Sequence, residues 1–141
     1  MELHKALNLL SLARKGRNIE VGEEPVGAIS RAGKARLIVV ASDASEHTVR
    51  RVQSFVAGTS QPWLQIPFDK SQLGQSVGRT ECAIAALTDA SLALAFVRAL
   101  DDPGQYAELI GQLDDKARKL RQRKLEQKAH RDNIRHGKKK S

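Results

Sequence analysis

Two short stretches carry side chains whose type and order suit contact with a ligand. The first is Gly22-Glu23-Glu24-Pro25. Proline is tolerated in the first turn of a helix, and acids there oppose the positive end of the helix dipole, so the stretch reads as a helix start. Such a start presents N–H groups without intrahelical partners, which bind a phosphate or a base acceptor. Gly22 has no side chain, so backbone there can approach a groove closely. The carboxylates of Glu23 and Glu24 repel phosphate yet accept hydrogen bonds from guanine N–H donors. Opposing the dipole is the simpler role, and the residues alone leave both open. The second stretch is Val77-Gly78-Arg79-Thr80-Glu81-Cys82. Small and apolar members beside a guanidinium suit unstacked nucleotide bases. An ordinary helix-to-strand connection, with Val77 in the core, suits the same residues. Cys82 reads as a small buried hydrophobe, with no adjacent histidine to activate it.

Bases flank the first stretch: Arg14, Lys15, Arg17, Arg31, Lys34 and Arg36. Those best placed to supply phosphate contacts that orient a nucleic acid without reading its sequence are Arg17, Arg31 and Lys34. A denser set closes the chain. Residues 116–141 hold twelve of the 24 Lys/Arg and two of the 16 acids, a net charge of +10. The first 115 residues hold the other 12 bases and 14 acids, a net −2. The basicity therefore belongs to the tail, and a cationic tail seeks polyanions. Lys116, Arg118, Lys119, Arg121, Arg123, Lys124, Lys138, Lys139 and Lys140 are the residues expected to engage phosphates nonspecifically, by counterion release. The tail lacks the bulky apolar face of an interfacial helix, so an anionic membrane fits it less well.

Catalysis finds little support. There is no GxxxxGK[ST] loop, and Gly16 and Gly22 make no dinucleotide fingerprint. His4 and His47 are far apart, and His130 and His136 have neither helical metal-ligand spacing nor partner cysteines. Asp43 and Asp89 follow strand-like runs and read as helix caps. One cysteine in 141 residues excludes an intrachain disulfide. No metal, cofactor or enzymatic activity is expected. The opening MELHKALNLLSLARKG is too polar for a secretory signal, and no run approaches the ~20 apolar residues of a membrane span. A monomeric cytoplasmic protein is the expectation.

The elements that position these groups alternate regularly. Leu3, Ala6, Leu7, Leu10 and Ala13 share one helical face, which Lys15-Gly16 closes. A short strand at 18–21 leads into the Gly22 helix start, whose apolar face is Val26 and Ile29. The run Leu37–Ala41 suits a buried strand, and Asp43 or Ser45 caps a helix with Val49, Val52 and Val56 buried. Strand Trp63–Ile66, a helix from Asp69 or Ser71, strand Ala83–Leu87 and a helix capped at Asp89 or Ser91 follow. Alternating helices and strands predict a three-layer α/β/α sandwich in residues 1–102. Asp101-Asp102-Pro103-Gly104 marks the boundary to a basic helical extension, residues 103–141. Its apolar stripe thins after Leu120, and fraying is expected from Ala129 onward.

The stretches LLSLARKGRNIEVGEEPVGAI, GKARLIVVASDAS, IPFDKSQLGQSVG and AIAALTD, in this order and spacing, resemble the kink-turn RNA-binding family of ribosomal proteins, the L7Ae type. They are most similar to its short bacterial infB-operon ribosomal-type members. The resemblance covers roughly residues 5–100 and leaves the extension outside. It implies a sandwich with a mixed sheet that grips a sharply bent RNA. The start of the second helix (Gly22, Glu23, Glu24) would read sheared G·A pairs. The loop of Val77, Gly78, Arg79, Thr80 and Glu81 would pack on extruded nucleotides. Glu24 stands where archaeal members carry Asn, and Ala28 where a lysine would meet RNA. The partner implied is structured RNA, of ribosomal or kink-turn type, with possible association with ribosomes. A protein–protein adaptor built on the same fold is the alternative, since fold does not fix function.

Overall fold

The computed structural model describes residues 3–140, and the side chains of residues 4–102 and 104–132. Ten elements follow one another: α1 Leu3–Lys15, β1 Ile19–Val21, α2 Glu23–Arg31, β2 Leu37–Val40, α3 Glu46–Val56, β3 Trp63–Gln65, α4 Lys70–Ser76, β4 Ile84–Leu87, α5 Ala90–Ala99 and α6 Pro103–Lys140. The four strands form one mixed sheet in the order β1-β4-β2-β3. β4 runs antiparallel to both β1 and β2, and β2 runs parallel to β3.

The two central strands alternate between two cores, because successive strand side chains point to opposite faces. Leu37, Val39, Ala85 and Leu87 face a core completed by α1, α4, α5 and the first part of α6. Ile38, Val40, Ile84 and Ala86 face a smaller one under α2 and α3. The structure is thus the expected α/β/α sandwich with a mixed sheet. The alanines of β4 are fully buried and let helices approach the sheet closely. Of the predicted α1 stripe, Ala6, Leu10 and Ala13 are at 0% exposure and Leu7 is partly buried, while the side chain of Leu3 lies outside the described residues. In α3 only Val52 is fully buried, and Val49, Phe55 and Val56 are partly covered.

Side-chain caps mark the starts of α3, α4 and α5. Ser45 Oγ accepts from Thr48 N at 3.2 Å, Asp69 forms a capping box with Gln72, and Asp89 accepts from Leu92 N at 2.9 Å. Asp43 departs from expectation. It does not cap α3; its Oδ1 accepts from Lys70 N at 2.8 Å and so ties the β2–α3 turn to the start of α4. The sheet geometry causes this. β2 and β3 are parallel neighbours, so both carboxyl ends emerge side by side. A second polar tie is Gln61, nearly buried. Its Nε2 donates to Ser30 O at 3.0 Å and its Oε1 accepts from Ala35 N at 3.1 Å, joining the end of α2 to the approach to β3.

The extension is not separate from the sandwich. Tyr106, Leu113 and Ala117 of α6 lie in the larger core, with α6 laid along α5. Helical backbone continues to Lys140, with Leu125 exposed. Among the described residues no helix is long and apolar enough to cross a membrane.

Candidate nucleic-acid interface

The site is organised by the start of β4. Gly22 N donates to Ile84 O at 3.0 Å, which continues the β1–β4 ladder and sets the start of α2 beside the end of the loop that enters β4. Gly22 is the N-cap of α2 at φ +100°, ψ 161°, backbone essentially reserved for glycine. Its carbonyl accepts the first helical bond, from Val26 N at 3.0 Å. The loop is equally constrained. Arg79 N donates to Gly74 O at 2.8 Å and Cys82 N to Lys70 O at 2.9 Å, so residues 79–82 fold back along α4. Gly74 permits this approach: a methyl there would stand 2.8 Å from Glu81 Cα and 2.9 Å from Arg79 O. Arg79 then reaches over Gly22, its Nη1 3.9 Å from where a Gly22 Cβ would be.

Between these segments lies an open cleft of about 330 Å³. Gly22 and Glu23 line one side, Arg79, Glu81 and Cys82 another, and His47 and Thr48 of α3 close it. The cleft offers N–H groups of the α2 start, a guanidinium, an imidazole and two carboxylates. That mixture of donors and acceptors suits the edge and face of a base better than a bare phosphate. Glu23 is also bridged to Arg51 at 3.8 Å, and Arg51 stands over the Phe55 ring at 5.2 Å. Burial pushes the Cys82 thiol above its usual range, against the opposing effects of the Ile84 backbone and the Arg79 charge. Cys82 is therefore a neutral, inert wall residue.

The structure gathers some of the expected residues and disperses others. Gly22, Glu23, Arg79 and Glu81 converge on the cleft. Glu24, Gly78 and Thr80 are exposed next to them in the chain. Val77 is a correction: it is 2% exposed, packed in the larger core, and supports the loop without offering a surface. Arg17 sits at the other end of β1, next to Asn18, whose carbonyl accepts from Thr88 N at 2.9 Å. That is roughly 15 Å of extended chain from Gly22. Arg31 lies at the last residue of α2, about 12 Å from its start, though its guanidinium folds back beside Gly27. Lys34 lies beyond the Gly33 turn at that far end. Ala28 is exposed and offers no cation.

His47 and Thr48 escaped sequence reasoning as site residues, whereas Arg14 was already among the flanking bases. His47 and Thr48 are near neighbours of the cleft only through the α2–α3 packing. Arg14, on α1, lays its guanidinium against Gly78, whose φ of +74° and missing side chain leave room for it. The sole signal for His47 was its place two residues after a helix cap. Of the tail cations, Lys116, Lys119 and Arg123 line a separate groove with Arg36. Arg118 is paired with Asp114, and Arg121 and Lys124 are exposed. The side chains of Lys138, Lys139 and Lys140 lie outside the described residues. No group of three or more potential metal ligands exists among the described residues.

Comparison with known proteins agrees with the architecture. The model of the ribosomal protein L7Ae/L30e/S12e/Gadd45 family matches residues 4–93. RNA-binding protein YlxQ of Bacillus subtilis (strain 168) is 29% identical over 93 residues, which cover 66% of this chain and 92% of that protein. RNA-binding protein YlxQ of Enterococcus faecium is 33% identical over 75 residues, 53% of this chain and 72% of that one. A solved structure of a protein of unknown function from Bacillus halodurans has a TM-score of 0.64 at 26% identity, covering 70% of this chain and 98% of its own. The Giardia lamblia 15.5kD RNA binding protein, TM-score 0.58 at 21% identity over 72% of this chain and 87% of its own, shares the fold. With more than half its length matched and the sandwich in common, the chain belongs to the ribosomal protein L7Ae/L30e/S12e/Gadd45 family.

Proposed function

We propose that the protein binds structured RNA, and that the cleft between the α2 start and the 79–82 loop recognises a kink-turn-like or ribosomal RNA element. Family membership and two relatives named as RNA-binding proteins support the RNA reading. The observation that carries the site is the convergence of Gly22 and Arg79 on one open cleft, from segments far apart in sequence. In this reading the α2 N–H groups and the carboxylates of Glu23 and Glu24 meet base edges. Arg79 stacks on or bonds an unstacked base. Arg51 holds Glu23 in place until RNA engages it. The cations of α6 add phosphate contacts without sequence preference. The protein acts as a monomer in the cytoplasm and associates with ribosomal RNA.

The test is binding of the full chain to a kink-turn RNA and to a straight duplex of equal length, at two salt concentrations. Preference for the bent RNA is expected, reduced by Arg79→Ala and Glu24→Ala while duplex binding is retained. Equal affinity for both RNAs, unaltered by these variants, would leave only nonspecific attraction. No RNA binding near physiological salt would favour a protein–protein adaptor.

A further inference from the structure

The second groove stands at the opposite end of β4 from the cleft. Arg36 N donates to Leu87 O at 2.8 Å, whereas Gly22 N pairs with Ile84 O, so the two sites flank the strand's two ends, roughly 10 Å apart along it. The groove, of about 200 Å³, is lined by Arg36, Ala90, Lys116, Lys119, Leu120 and Arg123. Its four cations come from the approach to β2 and from one stripe of α6 at i, i+3 and i+7. This stripe is not a loose tail. Leu113 and Ala117, at 0% and 2% exposure, anchor α6 on either side of Lys116. Ala90 contributes the first residue of α5, a helix start that carries a partial positive charge, while Asp89 is committed to Leu92 N. No acid lines the groove. Asp114 is engaged by Arg98 and Arg118, and Asp115 pairs with Lys119 at 3.1 Å in an exposed contact that an anion can outcompete.

We propose that this groove is a fixed backbone-phosphate site for RNA, built by Arg36 together with Lys116, Lys119 and Arg123, which binds independently of the bent-RNA cleft. Burial and, secondarily, the Arg36 charge push the Lys116 ammonium below its usual range. Arg36 and Ala90 lie within residues 4–93 and the α6 cations outside them, so the groove joins the shared sandwich to the extension. It rests on the reading that the ligand is RNA but not on kink-turn recognition. Because phosphates carry no sequence information, the groove strengthens binding to every RNA equally.

The full chain carrying Arg36→Gln and Lys119→Gln is compared with a charge-matched control, Arg121→Gln and Lys124→Gln, on kink-turn and straight RNAs across salt concentrations. The groove variant should lose about ten-fold or more in affinity for both RNAs, leave their ratio unchanged, and lower the salt slope by about 2. The control should lose markedly less. Equal losses in the two variants would reduce the groove to diffuse charge and overturn the proposal. Lysine acetylation of the wild-type chain tests the same point without substitution. Saturating RNA should protect Lys116 and Lys119 more than Lys124 and Lys128; uniform modification would sink the assignment. Failure of kink-turn recognition shows separately, as Arg79→Ala leaving the bent-to-straight ratio untouched while the groove variant still weakens both.

Discussion

Replacing Gly74 by alanine sets two effects of known sign against each other. Within a helix, alanine is favoured over glycine by ~0.5–1 kcal/mol. Here the added methyl would stand 2.8–2.9 Å from Glu81 Cα, Glu81 N and Arg79 O. These are backbone atoms, which cannot swing aside as a side-chain tip can, so overpacking costs ~1–3 kcal/mol. The net change runs from about zero to roughly 2.5 kcal/mol destabilising. Gly111 in α6 supplies the reference, because a methyl there meets nothing within 4 Å. Gly111→Ala should stabilise by ~0.5–1 kcal/mol, leaving the two variants ~1–3 kcal/mol apart. Urea titration followed by circular dichroism measures the difference. Since the atoms displaced are those that hold Arg79 over Gly22, Gly74→Ala should also lower affinity for bent RNA more than for straight duplex. Equal stabilisation by both substitutions, with RNA preference intact, would refute the claim that close packing at Gly74 shapes the loop.

Three further outcomes follow from particular contacts. Gln61→Leu strands Ala35 N and Ser30 O in a nearly closed site and should destabilise by ~1–3 kcal/mol, measured by thermal or urea unfolding. Lys116→Met should raise the stability of the free protein slightly, because a cation partly buried beside Arg36 is removed, yet should weaken RNA binding; a fall in stability at neutral pH would contradict it. The Arg118 hydrogen bond, aided by Arg98 and Arg121, holds the Asp114 carboxyl below the usual carboxylate range. Its folded value is depressed, so its contribution is present above the unfolded value and is lost as pH falls through the folded one. Asp114→Asn should flatten the acid limb of the stability curve, and an unchanged limb would show that the network contributes nothing.

The extent to which the site was legible varies residue by residue. Gly22 announced itself, because the order glycine, two acids, proline has a local physical meaning at a helix start. The loop at 77–82 announced its boundaries through Gly78 and the apolar run that follows. Val77 did not reveal its burial, since an apolar residue at the end of a short helix suits the core or the surface equally well. Arg17, Arg31 and Lys34 are close to Gly22 in sequence, yet extended strand and helix carry their backbones some 12 Å or more away.

Periodicity, caps and glycine–proline punctuation establish ten elements, their two-faced strands and the charge contrast between body and tail, because each is set by interactions within a few residues. Which ends meet is a matter of sheet order. That order follows from how all the helices jointly cover two faces, and no local pattern encodes it. Placing β4 between β1 and β2 brings Arg79 over Gly22, and pairing β3 parallel to β2 brings Asp43 to Lys70. Burying Leu113 and Ala117 against α5 turns part of a basic tail into one wall of a groove with Arg36.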